Sequence, residues 1–250
     1  MGGILAWHHR AMRTTIEYVP VAALSPAQWD EAWRFAERFT DTVRAVFEAS
    51  VREKKEAVFL RERGSRRLVG MGTVDVYTVD HAGERRIVIY PGNTLLDPDV
   101  RGANIVQRVG VRCFLRERLR HPRRPIYLFY DTFSYKSYVM LPRNFAEFWP
   151  RRDRPMPPDV AAFLDALGRQ RYGERWDPSR RLCRRGERRL KAGVATATAA
   201  DLADPDIRFY VDANPGYTEG DMLAVLAPLH AGNWRAVVRN ALRRLRRRVR

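Results

Sequence analysis

Apolar and polar positions change period several times along the chain, and each change marks an element. Thr14-Thr15-Ile16-Glu17-Tyr18-Val19 predicts a first strand. Ser25-Pro26-Ala27-Gln28 has the makings of a helix start: a serine cap, proline in the first turn and a glutamine three residues on. Trp29, Trp33, Phe39, Val43 and Phe47 then recur near helical spacing, widened by Phe35 and Val46. They predict a helix from Pro26 to about Val51, with a break near Phe39-Thr40. This aromatic face either packs a core, the commoner use, or lines an acyl channel. Glu56 to Arg61 and Arg67 to Val79 read as strands, with a turn at Asp80-His81-Ala82-Gly83 leading into a third from Arg85 to Tyr90. The three form an antiparallel meander.

The stretch that organises the rest follows. Ile87-Val88-Ile89-Tyr90 is a β-branched run, Pro91-Gly92-Asn93 interrupts it, and Thr94-Leu95-Leu96 resumes an extended pattern. Asp97-Pro98-Asp99 signals a turn. Ile105 to Leu119 is helical: Val106, Val109 and Cys113 lie on one stripe, and Arg112, Arg116 and Arg120 make a basic one. Pro122 ends the helix by His121. Ile126-Tyr127-Leu128-Phe129-Tyr130 is the next strand. Strand, tight basic turn, helix and strand make a βαβ unit, with the helix start beside the end of its first strand. A helix start carries unpaired N–H groups and partial positive charge, so it receives phosphate. Gly102 lets backbone come close and Arg101 adds a fixed donor fork. An ordinary helix cap in a basic protein fits the same residues, and no GxxxxGK[ST] or GxGxxG pattern occurs.

Beyond this unit the signals thin. Residues 150–158, PRRDRPMPP, look like a linker. Pro158 to Leu167 predicts a short helix, and Arg175 to Lys191 is basic and weakly patterned. Asp206 to Val211 predicts a strand, Glu219 to Leu229 a helix, and Asn233 caps a last helix with an apolar stripe of Trp234, Val237, Val238, Leu242 and Leu245. The division expected is a domain over residues 1–150 and a basic, mainly helical extension over 151–250.

The net charge of +17 changes the picture. Only four of the basic residues are lysines, at 54, 55, 136 and 191. Such a field draws phosphates, acidic proteins, nucleic acid or an anionic membrane without choosing among them. Cys113 and Cys183 suggest neither a disulfide framework nor a zinc site, Cys113 reading as a buried helix residue. No metal is expected, and a reducing cytoplasm is the default compartment. No run of 18 apolar residues suggests a transmembrane helix.

Leu95-Leu96-Asp97-Pro98-Asp99-Val100-Arg101-Gly102-Ala103-Asn104-Ile105-Val106 resembles the acyl-donor loop of the GCN5-related N-acetyltransferase superfamily. Pro98, Arg101 and Gly102 fall in register, while Asn104 and Val106 stand where small residues are expected. The resemblance covers about half the chain, and the family-like order β, α, β, β, β, α, β spans residues 14 to 130. It implies an α/β fold: a central twisted mixed sheet flanked by helices. It also implies a thioester donor, either acyl-CoA or a phosphopantetheine-bearing acyl carrier protein, held by Leu95, Arg101, Gly102, Ala103, Asn104 and Ile105. The backbone N–H of Leu96 would hold the thioester carbonyl, and Tyr138, or else Tyr135, would protonate the departing thiolate. For the base, Asp97, Asp75 and Glu84 are available; Asp97 is nearest the loop but also suits a turn before proline.

The function expected on these grounds is acyl transfer to a small-molecule or peptide amine by direct attack. The alternative is a non-catalytic scaffold of the same fold binding nucleic acid or an acidic protein. A nuclease is disfavoured, because no compact carboxylate cluster appears. Peripheral membrane contact is compatible with the basic C-terminal helix.

Overall fold

In the computed structural model, which describes residues 14–100, 105–184 and 188–249 (the last six by backbone alone), the elements run as follows. Strand β1 (Thr14–Pro20) precedes α1 (Pro26–Ala36), a short β2 (Thr40–Asp41) and α2 (Arg44–Arg52). Strands β3 (Glu56–Glu62), β4 (Leu68–His81) and β5 (Glu84–Leu96) lead to α3 (Ile105–Arg120) and β6 (Ile126–Thr132). Then come α4 (Tyr135–Tyr138), α5 (Met140–Asn144), α6 (Pro158–Tyr172), β7 (Trp176–Asp177), β8 (Leu182–Cys183) and β9 (Arg189–Leu190). Helix α7 (Pro205–Ala213), strand β10 (Met222–Pro228) and helix α8 (Ala231–Val249) close the chain.

Eight strands form one mixed sheet in the order β1-β3-β4-β5-β6-β10-β8-β7, and β2 pairs with β9 apart from it. This is the α/β class expected, and from residue 14 to 130 the succession of elements is the expected one except for the short β2 between α1 and α2. One face is covered by α1 and α2, whose Trp29, Phe35 and Phe47 meet Phe59 and Met71, and by α6, whose Phe163, Leu164 and Leu167 meet Val88, Tyr90 and Phe129. On the other face Cys113 of α3 packs on Val58, Val74, Ile87, Ile89 and Ile126. There too, Tyr138, Leu141 and Tyr210 pack on Leu223 and Val225. A fully buried side chain of this size contributes ~1.5–3 kcal/mol.

Local chemistry explains the element starts. Ser25 accepts the Gln28 N–H while the Gln28 side chain accepts the Ser25 N–H, a complete capping box. The expected break falls between α1 and α2, where Thr40 Oγ1 donates to Ala36 O. The β4–β5 hairpin turns at Ala82 (φ 49°) and Gly83 (φ 77°), the pair of left-handed residues that matches the twist of a two-residue hairpin loop.

Three expectations are corrected. Residues 205–213 are helix, not strand: Asp204 accepts the Asp206 N–H as N-cap and Pro205 sits at the first helical position. Residues 222–228 are strand, not helix. Met222-Leu223-Ala224-Val225-Leu226-Ala227 are all buried, and a strand covered on both faces loses the alternation that identifies one. Asn233 lies within α8 and does not cap it. Its buried side chain accepts from the N–H groups of Ala146 and Glu147 and donates to Glu147 O and Pro228 O. Strand β10 pairs with β6 from Leu223↔Thr132 to Pro228↔Tyr127, so residues beyond 150 complete the sheet that the first part begins. Besides its helices, the 151–250 part contributes β7, β8, β9 and β10.

Candidate functional site

The parallel ladder between β5 and β6 pairs Ile87 with Ile126, Val88 with Tyr127 and Ile89 with Leu128. From there β5 continues along β4 to Leu96 and β6 continues along β10 to Thr132. Pro91 helps explain the parting, because it has no N–H to give to a ladder. Farther on, Met71 pairs with Leu95 but Thr73 with Gly92, so Asn93 and Thr94 together oppose Gly72 in a β-bulge. Asn93 takes φ 48°, which asparagine tolerates better than most residues. Its side chain pins the bulge: Nδ2 donates to Thr73 Oγ1 (3.3 Å), and Oδ1 accepts from Ser50 Oγ (3.2 Å) and the Arg188 guanidinium (2.8 Å).

A polar cluster sits where the strands diverge. Tyr90 and Asp131 belong to the face covered by α6, and the Tyr90 hydroxyl donates to the Asp131 carboxylate. The Tyr172 hydroxyl lies 3.4 Å from that of Tyr90. Lys54 Nζ stands 4.6 Å from the Tyr90 ring centre and the Arg171 guanidinium carbon 3.9 Å. Glu53 accepts from Arg171 at 2.9 Å and lies 3.5 Å from Lys54 Nζ. Gly92 is what lets the lysine lie this close: a Cβ there would come within 3.1 Å of Lys54 Cε and 3.2 Å of Thr73 Oγ1.

These surroundings change the chemistry of the groups. Burial, then the Arg171 charge, brings the Lys54 ammonium down to about 8, against an ordinary 10.5. Burial, then the Asp131 charge, pushes the Tyr90 phenol far up, so it stays a proton donor at neutral pH. The Tyr172 phenol is raised for the same two reasons. A lysine whose proton is loosened by burial, beside a tyrosine–carboxylate pair, is an arrangement suited to proton transfer.

The residues anticipated from the sequence occupy several places. Arg101, Gly102, Ala103 and Asn104 lie outside the described residues. Ile105 is buried at the start of α3, against Leu60, Val69 and Val100. Leu95 and Leu96 end β5. Asp97 N–H donates to Val69 O (2.9 Å), so the preceding N–H, that of Leu96, points toward the opposite edge, the β6 side. Asp97 is buried and both its oxygens are taken, by Arg38 at 2.6 Å and Arg67 at 3.1 Å. Those contacts anchor the end of β5 and occupy a carboxylate proposed as base. Tyr138 is fully buried, and its hydroxyl donates to Pro150 O (3.0 Å). Tyr135 is buried on the same short helix. Asp75 faces Tyr90 across the β4–β5 ladder, with Lys55 Nζ 3.7 Å away. Glu84 is exposed at the hairpin end, beside Arg86.

Sequence reading missed Lys54, Tyr90, Asp131, Arg171 and Tyr172. Tyr90 was legible as a strand residue and Asp131 as lying just past the end of its strand, but the two were not legible as partners, since 41 positions separate them. Lys54 carried one usable signal, as one of four lysines in a chain that otherwise uses arginine. Among the described residues no group of three histidine, cysteine, aspartate or glutamate side chains is placed to hold a metal.

No family model matches the sequence, and no curated protein matches it. Among solved structures the chain is similar to a conserved Enterococcus faecalis V583 protein described as a probable N-acyltransferase. That likeness has 13% identity and a TM-score of 0.36, over 53% of this chain and 33% of that one. It is similar to a Trypanosoma brucei acetyltransferase (15%, 0.38, 58% and 98%). It is also similar to Saccharomyces cerevisiae N-myristoyltransferase with bound myristoyl-CoA (11%, 0.35, 59% and 39%). The chain thus spans a third of the length of the E. faecalis protein and 39% of the yeast enzyme. At such scores none of these fixes an activity for this chain.

Proposed function

We propose that this protein transfers an acyl group from a thioester donor to an amine. The observation that carries the reading is the parting of β5 from β6 beyond Ile89 and Leu128, with the Tyr90–Asp131 pair at the divergence and α3 opening just after β5. A thioester arm threads the space between the diverging strands. Its phosphates meet the first N–H groups of α3, a 16-residue helix, together with Arg101, Gly102, Ala103 and Asn104. The donor is acyl-CoA or the phosphopantetheine arm of an acyl carrier protein, the second favoured by the basic surface. Similarity to acetyl- and myristoyltransferases agrees with a thioester donor and carries no weight of its own.

The amine nitrogen attacks the thioester carbonyl carbon, and the N–H of Leu96 stabilises the charge that develops on its oxygen. The carbon–sulfur bond then breaks. The proton shed by the amine passes to Lys54 in its neutral form, and the departing thiolate takes a proton from the Tyr90 hydroxyl, which turns from Asp131 to give it. Tyr138, the sulfur-protonating candidate from the sequence, would have to give up Pro150 O to act.

The test is release of free thiol from acetyl-CoA and longer acyl-CoA in the presence of a panel of amines, with carrier-protein thioesters run in parallel. Amine-dependent release that is lost in R101A supports transfer. Salt-sensitive nucleic-acid binding that R101A leaves unchanged, without thiol release from any donor, overturns it.

A further inference from the structure

Among the described residues five large hydrophobic side chains are more than half exposed, and four of them lie on two helices: Leu115 and Leu119 on α3, Val238 and Leu242 on α8. Leu119 is 83% exposed, Val238 56% and Leu242 51%. The helices touch through Phe114 and Trp234, whose rings are 4.5 Å apart. On α8, Trp234, Val238 and Leu242 recur every fourth residue, and Arg235, Arg239 and Arg243 run beside them. The six line one shallow groove.

Charge selects the occupant. Helix α8 carries seven arginines and no carboxylate. Helix α3 carries five arginines and one glutamate, Glu117, which Arg116 and Arg120 already hold. An exposed apolar line between cationic lines matches the boundary between lipid headgroups and acyl chains, where apolar side chains enter and guanidinium groups meet phosphate. A nucleic acid would answer the arginines and leave Val238 and Leu242 in water. No helix among the described residues is long and apolar enough to cross a membrane. At ~1.5 Å per residue the 19-residue α8 reaches ~28 Å along such a surface.

We infer that α8, flanked by α3, seats this protein on an anionic lipid surface, lying in the interface with Val238 and Leu242 turned into the acyl layer. This is independent of the acyl-transfer reading, because neither residue borders the divergence of β5 and β6.

The experiment is co-sedimentation of the full chain with vesicles of phosphatidylcholine alone and of phosphatidylcholine mixed with phosphatidylglycerol. Binding is expected to the mixed vesicles only. The V238S/L242S variant keeps the net charge and replaces two exposed side chains, and it is expected to bind about tenfold or more weakly. R239Q/R243Q is expected to weaken binding and flatten its salt dependence. Melting temperatures matching the parent show that the variants are folded. Full binding by V238S/L242S would overturn the inference in favour of simple charge attraction. So would displacement from vesicles by an oligonucleotide or an acidic carrier protein with the same affinity in parent and variant, or failure to sediment with the mixed vesicles. Thiol release from soluble donors serves as the separate readout of the proposed transfer and is expected to be unaltered in V238S/L242S.

Discussion

The Tyr90 hydroxyl donates to Asp131 across the point where two parallel strands part, joining side chains of β5 and β6 just beyond their last shared ladder position. A charge-assisted bond of this kind is worth about 1.5–3 kcal/mol when buried. Its position ties the two strands together where their backbones no longer do.

If the pair serves proton transfer, Y90F and D131N should reduce amine-dependent thiol release at least tenfold, with little change in the donor's Kd. Their melting temperatures should fall by an amount equivalent to about 1–3 kcal/mol. Full turnover in both variants would remove the pair from the chemistry.

Lys54 makes a prediction in pH. Its folded-state value is about 8 and its ordinary value 10.5, so between these the unfolded chain holds more protons than the folded one. Stability attributable to this group therefore rises with pH across that window. Below about 8 the buried ammonium costs about 3 kcal/mol, a cost removed as pH passes 10.5. K54M should thus melt higher than the parent at pH 7, the difference shrinking by pH 10, while thiol release falls. A K54M chain less stable than the parent at pH 7 would show that the lysine is there for its contacts.

Asp97 and the arginines at the end of β5 should behave as one unit. D97N is expected to lose about 2 kcal/mol, discounted because Arg38 and Arg67 are each about half exposed. R38A and R67A should each lose part of it. The measurement is urea unfolding together with a pH–rate profile. A base role for Asp97 would appear as a changed profile with unchanged stability.

Tyr138 is separable in the same way. Removing its hydroxyl leaves Pro150 O without that donor, so Y138F should cost about 1–3 kcal/mol with turnover within a few-fold of the parent. Strongly slowed turnover at full stability would restore it as the acid.

Much of the first half of the fold was legible, because its signals are local. The capping box at Ser25, the hairpin at Ala82-Gly83 and the helical stripe from Ile105 are each settled by a few neighbouring residues. The later part was misread where tertiary packing decided. Ala-rich, Leu-rich β10 has no alternation because both its faces are covered, and Asp206–Val211 is helical because Asp204 and Pro205 start a helix there. The site divided likewise. The end of β5 and the opening of α3 could be located from spacing. The cluster of Lys54, Tyr90, Asp131 and Arg171 could not, since it gathers residues from a loop, two strands and a helix that no sequence period connects.

The pairing of β6 with β10 also bears on how the chain is made. The edge of β6 that β10 covers is complete some ninety residues before its partner leaves the ribosome. Until then, an unpaired row of backbone donors and acceptors stands open to any other extended segment. A nascent chain arrested short of residue 222 therefore offers a docking edge for another strand, and this protein would lean on holding chaperones during synthesis more than a sheet assembled from sequential hairpins would.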